Sequence, residues 1–223
     1  MGNNRNTTER LLEATSEIWK AYNEHPFVLG IQNGTLDKEK FRYYMIQDYL
    51  YLEDYAKTFA VGVAKAKSLR IANLFAKYIS VMNGELNVHE GYLARLGVTQ
   101  EEIDSTPRAL DNLSYTSYML RVAYEEGEAE ILAAILACAY SYEVIAKNMV
   151  KNNPESIRHK FYGDWIKGYT SDEYAEENSI LLEEMNRLTE NYTEKQILHL
   201  IDIFVACSRY ELAFWEMSWT MKG

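Results

Sequence analysis

Proline is scarce in this chain, with only Pro26, Pro107 and Pro154 among 223 residues, and glycine is limited to 11 positions. Little therefore interrupts a helix over long stretches. Cysteine is scarcer still. Cys138 and Cys207 are the whole complement, which excludes a disulfide framework. With no signal peptide at Met1-Gly2-Asn3-Asn4-Arg5, the thiols point to the cytoplasm. Basic residues are outnumbered, 23 against 33 acidic ones, for a formal net charge of -10. No basic arm offsets that balance, which argues against nucleic acid as the main partner. There is no Gly-rich phosphate loop, no sustained strand alternation and no internal repeat. The Ala-rich apolar run from Ile131 to Tyr140 covers ten residues, about half of what a bilayer span needs, so no membrane role is expected.

The length predicts one domain over residues 1–223 with an ample core. Helical periodicity dominates. A first helix is expected from about Thr8 to Asn23, ended by His25-Pro26-Phe27 because proline disfavours a helical residue before it. Gly30 and Asn33-Gly34 predict a tight loop. Helices follow over about 37–66 and 70–96, then loop signals over 99–107. A helix closed by Glu125-Glu126-Gly127 comes next. The segment from Glu128 to about Asn152 opens with acids that suit a helix N-terminus, and its small side chains predict a helix in the middle of the molecule. Shorter helices start at Pro154 and Ser171, and a last one runs from Thr193 to about Trp219. The expectation is all-α, with seven or eight helices, some too long for a simple four-helix bundle.

Several residues invite a chemical reading. Cys138 and Tyr142, four apart, share one helix face. Cys207, Glu211 and Phe214 or Trp215 share another. Asp48 sits among aromatics in Tyr43-Tyr44-Met45-Ile46-Gln47-Asp48-Tyr49-Leu50-Tyr51. There it either faces solvent, which periodicity favours, or is buried for a purpose. Glu85 and His89 have the i,i+4 spacing of a metal pair, and equally of a surface pair or hydrogen bond. The remaining histidines, His25, His159 and His199, complete no Glu-x-x-His motif. Eighteen tyrosines suit a core that holds a polar ligand. On the residues alone, either thiol could be the reactive one.

Six short patterns fall in one order: His25-Pro26-Phe27-Val28-Leu29-Gly30-Ile31; Phe41-x-Tyr43-Tyr44-x-x-Gln47-Asp48-x-x-Tyr51-Leu52; Tyr115-Thr116-Ser117-Tyr118-Met119; Cys138-x-Tyr140-x-Tyr142; Trp165-Ile166-x-x-Tyr169; and Tyr210-Glu211-x-x-Phe214-Trp215. In that register the chain resembles the TenA/thiaminase II family, thiamin-pyrimidine hydrolases on a haem-oxygenase-like helical bundle. The resemblance implies Cys138 as nucleophile and Glu211 as acid/base. It implies Asp48 as the carboxylate holding the aminopyrimidine, Tyr51, Tyr115, Tyr142 and Tyr169 as pocket tyrosines, and Phe214 as an aromatic against the ring. Ala137 and Tyr140 stand where the family often has proline and tryptophan. The resemblance also implies a homotetramer, and the chemistry calls for no metal or organic cofactor.

These residue types suit displacement at the 5-methylene of a 4-aminopyrimidine. Thiolate addition at C6 breaks aromaticity, so that ring electrons can expel the leaving group. A carboxylate at the ring nitrogen favours the protonated, more electrophilic ring, and an acid near the methylene protonates a departing amine. The expected substrates are 4-amino-5-aminomethyl-2-methylpyrimidine, in thiamin salvage, or thiamin itself. Two other readings stand beside this one. A metal-dependent oxidase on the same scaffold would rest on Glu85 and His89, and a non-catalytic pyrimidine-binding regulator would bind without turnover.

Overall fold

The computed structural model describes residues 5–222, and the side chains of 81 and 83–88 lie outside that description. Among the described residues there are eleven α-helices, one 3-10 helix and no strand. The count exceeds the seven or eight expected because short helices occupy places read as loops or as parts of longer helices.

The first predicted helix is two, α1 (Thr7–Ala14) and α2 (Ser16–Glu24). Asn6 caps α1 by accepting from the Glu9 N–H at 2.9 Å, while Glu9 reaches back to the Asn6 N–H at 3.0 Å, a reciprocal capping box. The break falls at Thr15, whose hydroxyl donates to the Leu11 carbonyl at 3.0 Å. Its backbone leaves helical geometry, with φ -107° and ψ 4°. The expected tight loop is α3 (Pro26–Asn33). Proline at the first helical position loses no bond, and the His25 ring nitrogen Nδ1 accepts from the Phe27 N–H at 3.2 Å. Gly34 ends α3 in the left-handed region at φ +69°, where glycine carries no Cβ penalty.

Two long helices follow, α4 (Lys38–Lys65) and α5 (Leu69–Arg95), then α6 (Gln100–Ser105) inside the predicted loop. Next come α7 (Leu110–Glu125), α8 (Glu128–Asn152), a 3-10 turn at Pro154–Arg158, α9 (Gly163–Tyr169), α10 (Asp172–Leu188) and α11 (Glu194–Thr220). The N-cap residue of α7, Ala109, has no side chain to cap with. Gln47 of α4 does it instead, taking the Ala109 N–H on Oε1 at 3.0 Å and giving its amide to the Pro107 carbonyl at 3.0 Å. Asn112 closes the arrangement by donating to the Gln47 carbonyl at 2.7 Å. The start of α7 is thereby tied to the residue next to Asp48.

Helix α8 is the centre. Residues 131–137 expose no surface at all, and α2, α3, α4, α7, α9, α10 and α11 pack around it. Its apolar stretch is longer than the ten-residue run suggests. By length and composition α8 could cross a membrane, yet 72% of that stretch is buried inside the fold. Its hydrophobicity is therefore satisfied by neighbouring helices. Helix α4 packs against α5, α7, α8 and α11, and its contact with α5 decides the fate of Asp48.

Candidate active site

A cavity of about 40 Å³, counted as space open to the centres of water-sized molecules, lies between α4, α5, α8 and α10. That is enough for more than one water. Its wall includes Asp48, Tyr51 and Tyr55 from α4, Tyr78 and Met82 from α5, Cys138 and Tyr142 from α8, and Tyr174 and Asn178 from α10. Four of the eight residues named from sequence therefore meet around one space. The other four pack close by. Phe214 meets the Tyr51 ring edge-on at 5.9 Å and Tyr115 lies 5.2 Å from it, while Tyr169 sits 4.8 Å from the Tyr142 ring. Glu211 is buried on α11 within electrostatic reach of Tyr51, Tyr115 and Tyr142.

The solvated reading of Asp48 is overturned. The residue is 4% exposed, because it lies off the exposed stripe of α4 formed by Glu53, Lys57 and Ala60 and faces α5 instead. Its carboxylate Oδ2 lies 2.5 Å from Nε2 of His89 on α5. His89 is 1% exposed, so it is not part of a surface pair. The Glu85 side chain, the other half of the suggested metal pair, lies outside the described residues. Among the described residues no group of three or more His, Cys, Asp or Glu side chains is gathered to hold a metal ion.

The two thiols differ in setting. Cys138 is half-buried and borders the cavity. Cys207 is fully buried, and burial, reinforced by the nearby Glu211 charge, pushes its thiol well above the usual range. A buried neutral thiol of that kind is inert. Around Cys138 the tyrosines are held protonated. Burial is the main cause at Tyr51, followed by the charge of Cys138. At Tyr115 burial is followed by Glu211 and then Cys138. At Tyr142 burial is followed by Tyr44, Asp48, Glu211 and Cys138. All three can therefore donate a hydrogen bond but not supply a negative charge.

Tyr142 is oriented by a relay in which Trp165 Nε1 donates to the Tyr44 hydroxyl at 3.3 Å and Tyr44 donates to the Tyr142 hydroxyl at 3.4 Å. The Tyr142 proton is left to point elsewhere, and the ring borders the cavity. Across the cavity, Tyr174 donates to the Ala139 carbonyl at 2.8 Å and Asn178 to Glu143 at 2.7 Å, fixing α10 against the turn that carries Cys138. The helix runs unbroken through Ala137 and Tyr140. Tyr140 is half-buried, 5.8 Å from Trp19, so the departures from the family pattern leave the helical placement of Cys138 intact. Sequence reasoning missed His89 as the partner of Asp48, along with Tyr55, Tyr174 and Asn178. Only the aromatic density of α4 hinted at Tyr55, and nothing local marks the α10 pair.

The helical arrangement is of the haem-oxygenase-like class. It superposes with TM-score 0.66 on a Shewanella denitrificans domain described as having a heme oxygenase-like fold, at 13% identity, over 98% of this chain and 94% of that one. The chain belongs to the TENA/THI-4/PQQC family, whose model matches residues 12–221. It is 40% identical to an aminopyrimidine aminohydrolase of Helicobacter pylori over 95% of this chain and 98% of that protein. Among solved structures, a TenA homologue from P. horikoshii OT3 superposes with TM-score 0.86 at 33% identity, covering 97% of this chain and 99% of that chain.

Proposed function

We propose that this protein hydrolyses 4-amino-5-aminomethyl-2-methylpyrimidine, or thiamin, to the 5-hydroxymethyl pyrimidine in thiamin salvage. One observation carries the reading: a thiol, Cys138, and a histidine-partnered carboxylate, Asp48, open on the same tyrosine-walled cavity. The relative described as an aminopyrimidine aminohydrolase supports the same reaction class. Asp48 holds the ring nitrogen and exocyclic amine through a charge-assisted pair. The Cys138 thiolate adds to C6, and the ring electrons expel the leaving group as Glu211 protonates the departing amine. Water then adds at the exposed methylene, Glu211 takes its proton, and loss of the thiolate restores the ring. With the aminomethyl pyrimidine the sum is substrate plus water giving the alcohol and ammonia; with thiamin the thiazolium nitrogen leaves with the C–N electron pair as neutral thiazole, needing no proton, and the sum is the alcohol, the thiazole and one proton. An ordinary thiol is only a few per cent ionised at pH 7, so the neutral hydroxyl of Tyr115, or that of Tyr51 on turning from Met119 Sδ, to which it donates at 3.6 Å, assists by donating toward the sulfur. Tyr142, Tyr169 and Phe214 shape the aromatic slot.

No step requires a metal ion. Turnover assays of protein dialysed against chelator, with thiamin and the aminomethyl pyrimidine, test this directly. Undiminished hydrolysis is expected. Loss of activity restored by iron or manganese would instead favour the oxidase reading, and tight pyrimidine binding without any product would favour a regulator. In this proposal the protein works in the cytoplasm as a homotetramer. Exposed apolar residues on α7, Leu110, Leu113 and Tyr124, support subunit contact, and a monomer in sedimentation at micromolar concentration would contradict it.

A further inference from the structure

Asp48 and His89 come from different helices, 41 positions apart, and both are buried. An ionised carboxylate can only accept, so the 2.5 Å contact is His89 Nε2–H donating to Asp48 Oδ2. A buried carboxylate held by one strong bond cannot rotate freely, because turning would leave a polar atom unsatisfied. Asp48 also borders the cavity. We infer that His89 is a positioning residue: it clamps one oxygen of Asp48 so that the other is presented to the amidine edge of a protonated aminopyrimidine. The inference rests on the function proposed above and adds a residue through which the recognition carboxylate acts.

A merely structural buried pair would look the same in a static structure, so the test must separate geometry from folding. Glutamine places an amide N–H where Nε2 stands, whereas asparagine reaches only to the position of Nδ1, and leucine offers no donor. The experiment measures kcat, KM and calorimetric Kd for the hydroxymethyl pyrimidine with His89→Leu, His89→Asn and His89→Gln, each alone and combined with Asp48→Asn. Circular dichroism is recorded beside each. His89→Leu and His89→Asn should raise Kd and KM by about tenfold to a hundredfold, the range for one charge-assisted hydrogen bond. His89→Gln should recover most of that loss. In the Asp48→Asn background, His89→Leu should add less than about threefold, since a residue acting through Asp48 has nothing left to act on.

If His89→Leu fails to fold, the contrast between the glutamine and asparagine variants decides alone. Equal losses for Gln and Asn, or a His89→Leu effect that multiplies the Asp48→Asn loss in full, overturns the inference while leaving the proposed function standing. A wild-type protein that neither binds nor turns over the pyrimidines overturns both.

Discussion

Replacing Asp48 with asparagine keeps the size of the side chain and removes its charge. The structure indicates how the amide would settle. His89 Nε2 lies 2.5 Å from Oδ2 and donates to it, so the amide oxygen takes that place and the NH₂ turns toward the cavity. A donor then faces the edge of the pyrimidine where an acceptor is needed. The loss includes the charge-assisted bond, roughly 1.5–3 kcal/mol, and the mismatch puts it at the upper end. That corresponds to about two decades in affinity at about 1.4 kcal/mol per decade. Because a neutral site no longer favours the protonated, electrophilic ring, thiolate addition slows as well. Asp48→Asn should therefore lower both kcat and kcat/KM, and weaken binding of the hydroxymethyl product. Steady-state kinetics with the aminomethyl pyrimidine and calorimetry with the product measure the two effects. Wild-type values in both would refute the assignment of Asp48 to the pyrimidine.

Three further outcomes follow from other parts of the molecule. Tyr22, Tyr51, Tyr115 and Tyr142 are all held well above the usual tyrosine range, chiefly by burial. The unfolded chain therefore releases these protons first, so the stability they contribute is complete below about pH 10 and falls as pH rises above it. Urea midpoints that stay flat above pH 10 would contradict this. Gln47→Leu removes the surrogate cap of α7 and the anchor of Pro107; it should cost about 1–3 kcal/mol in urea unfolding and lower kcat through Tyr115. An unchanged midpoint would remove Gln47 from that role. Gly34→Ala forces a Cβ to 2.4 Å from the His159 ring at φ +69°, and should cost about 1–3 kcal/mol with kcat unchanged in the folded fraction, as urea unfolding and kinetics would report.

The all-helical class was legible because periodicity and the scarcity of proline leave little else. The limits Glu128 and Asn152 of the central helix match the structure, since acids mark its start and polar residues its end. The helix count was not legible. The break at Thr15 carries no signal of its own: its hydroxyl bonds back to the Leu11 carbonyl, but Thr58 makes the same bond to Asp54 inside unbroken α4. Asp48 was misjudged for a tertiary reason. Helix α4 does keep a solvent face, with Glu53, Lys57, Ala60 and Ala64 exposed at helical spacing, but Asp48 lies off it, against His89 of α5. His89 as a partner was invisible, because its meeting with Asp48 is made by the packing of α5 on α4. The grouping of Glu211 with Cys207 and Phe214 was readable from spacing, and all three are buried together. The choice between the two thiols came from the family resemblance, and the difference in exposure gives it a physical reason.

The central claim is that Cys138 attacks the pyrimidine ring, and turnover of 4-amino-5-aminomethyl-2-methylpyrimidine by Cys138→Ser and Cys207→Ala, each checked for folding by circular dichroism, tests it most directly. Cys138 borders the cavity, whereas the Cys207 thiol is sealed in the core and held protonated. Cys138→Ser should fold normally and lose nearly all hydrolysis, while Cys207→Ala should keep wild-type kcat. Small and equal losses in the two variants would contradict the account.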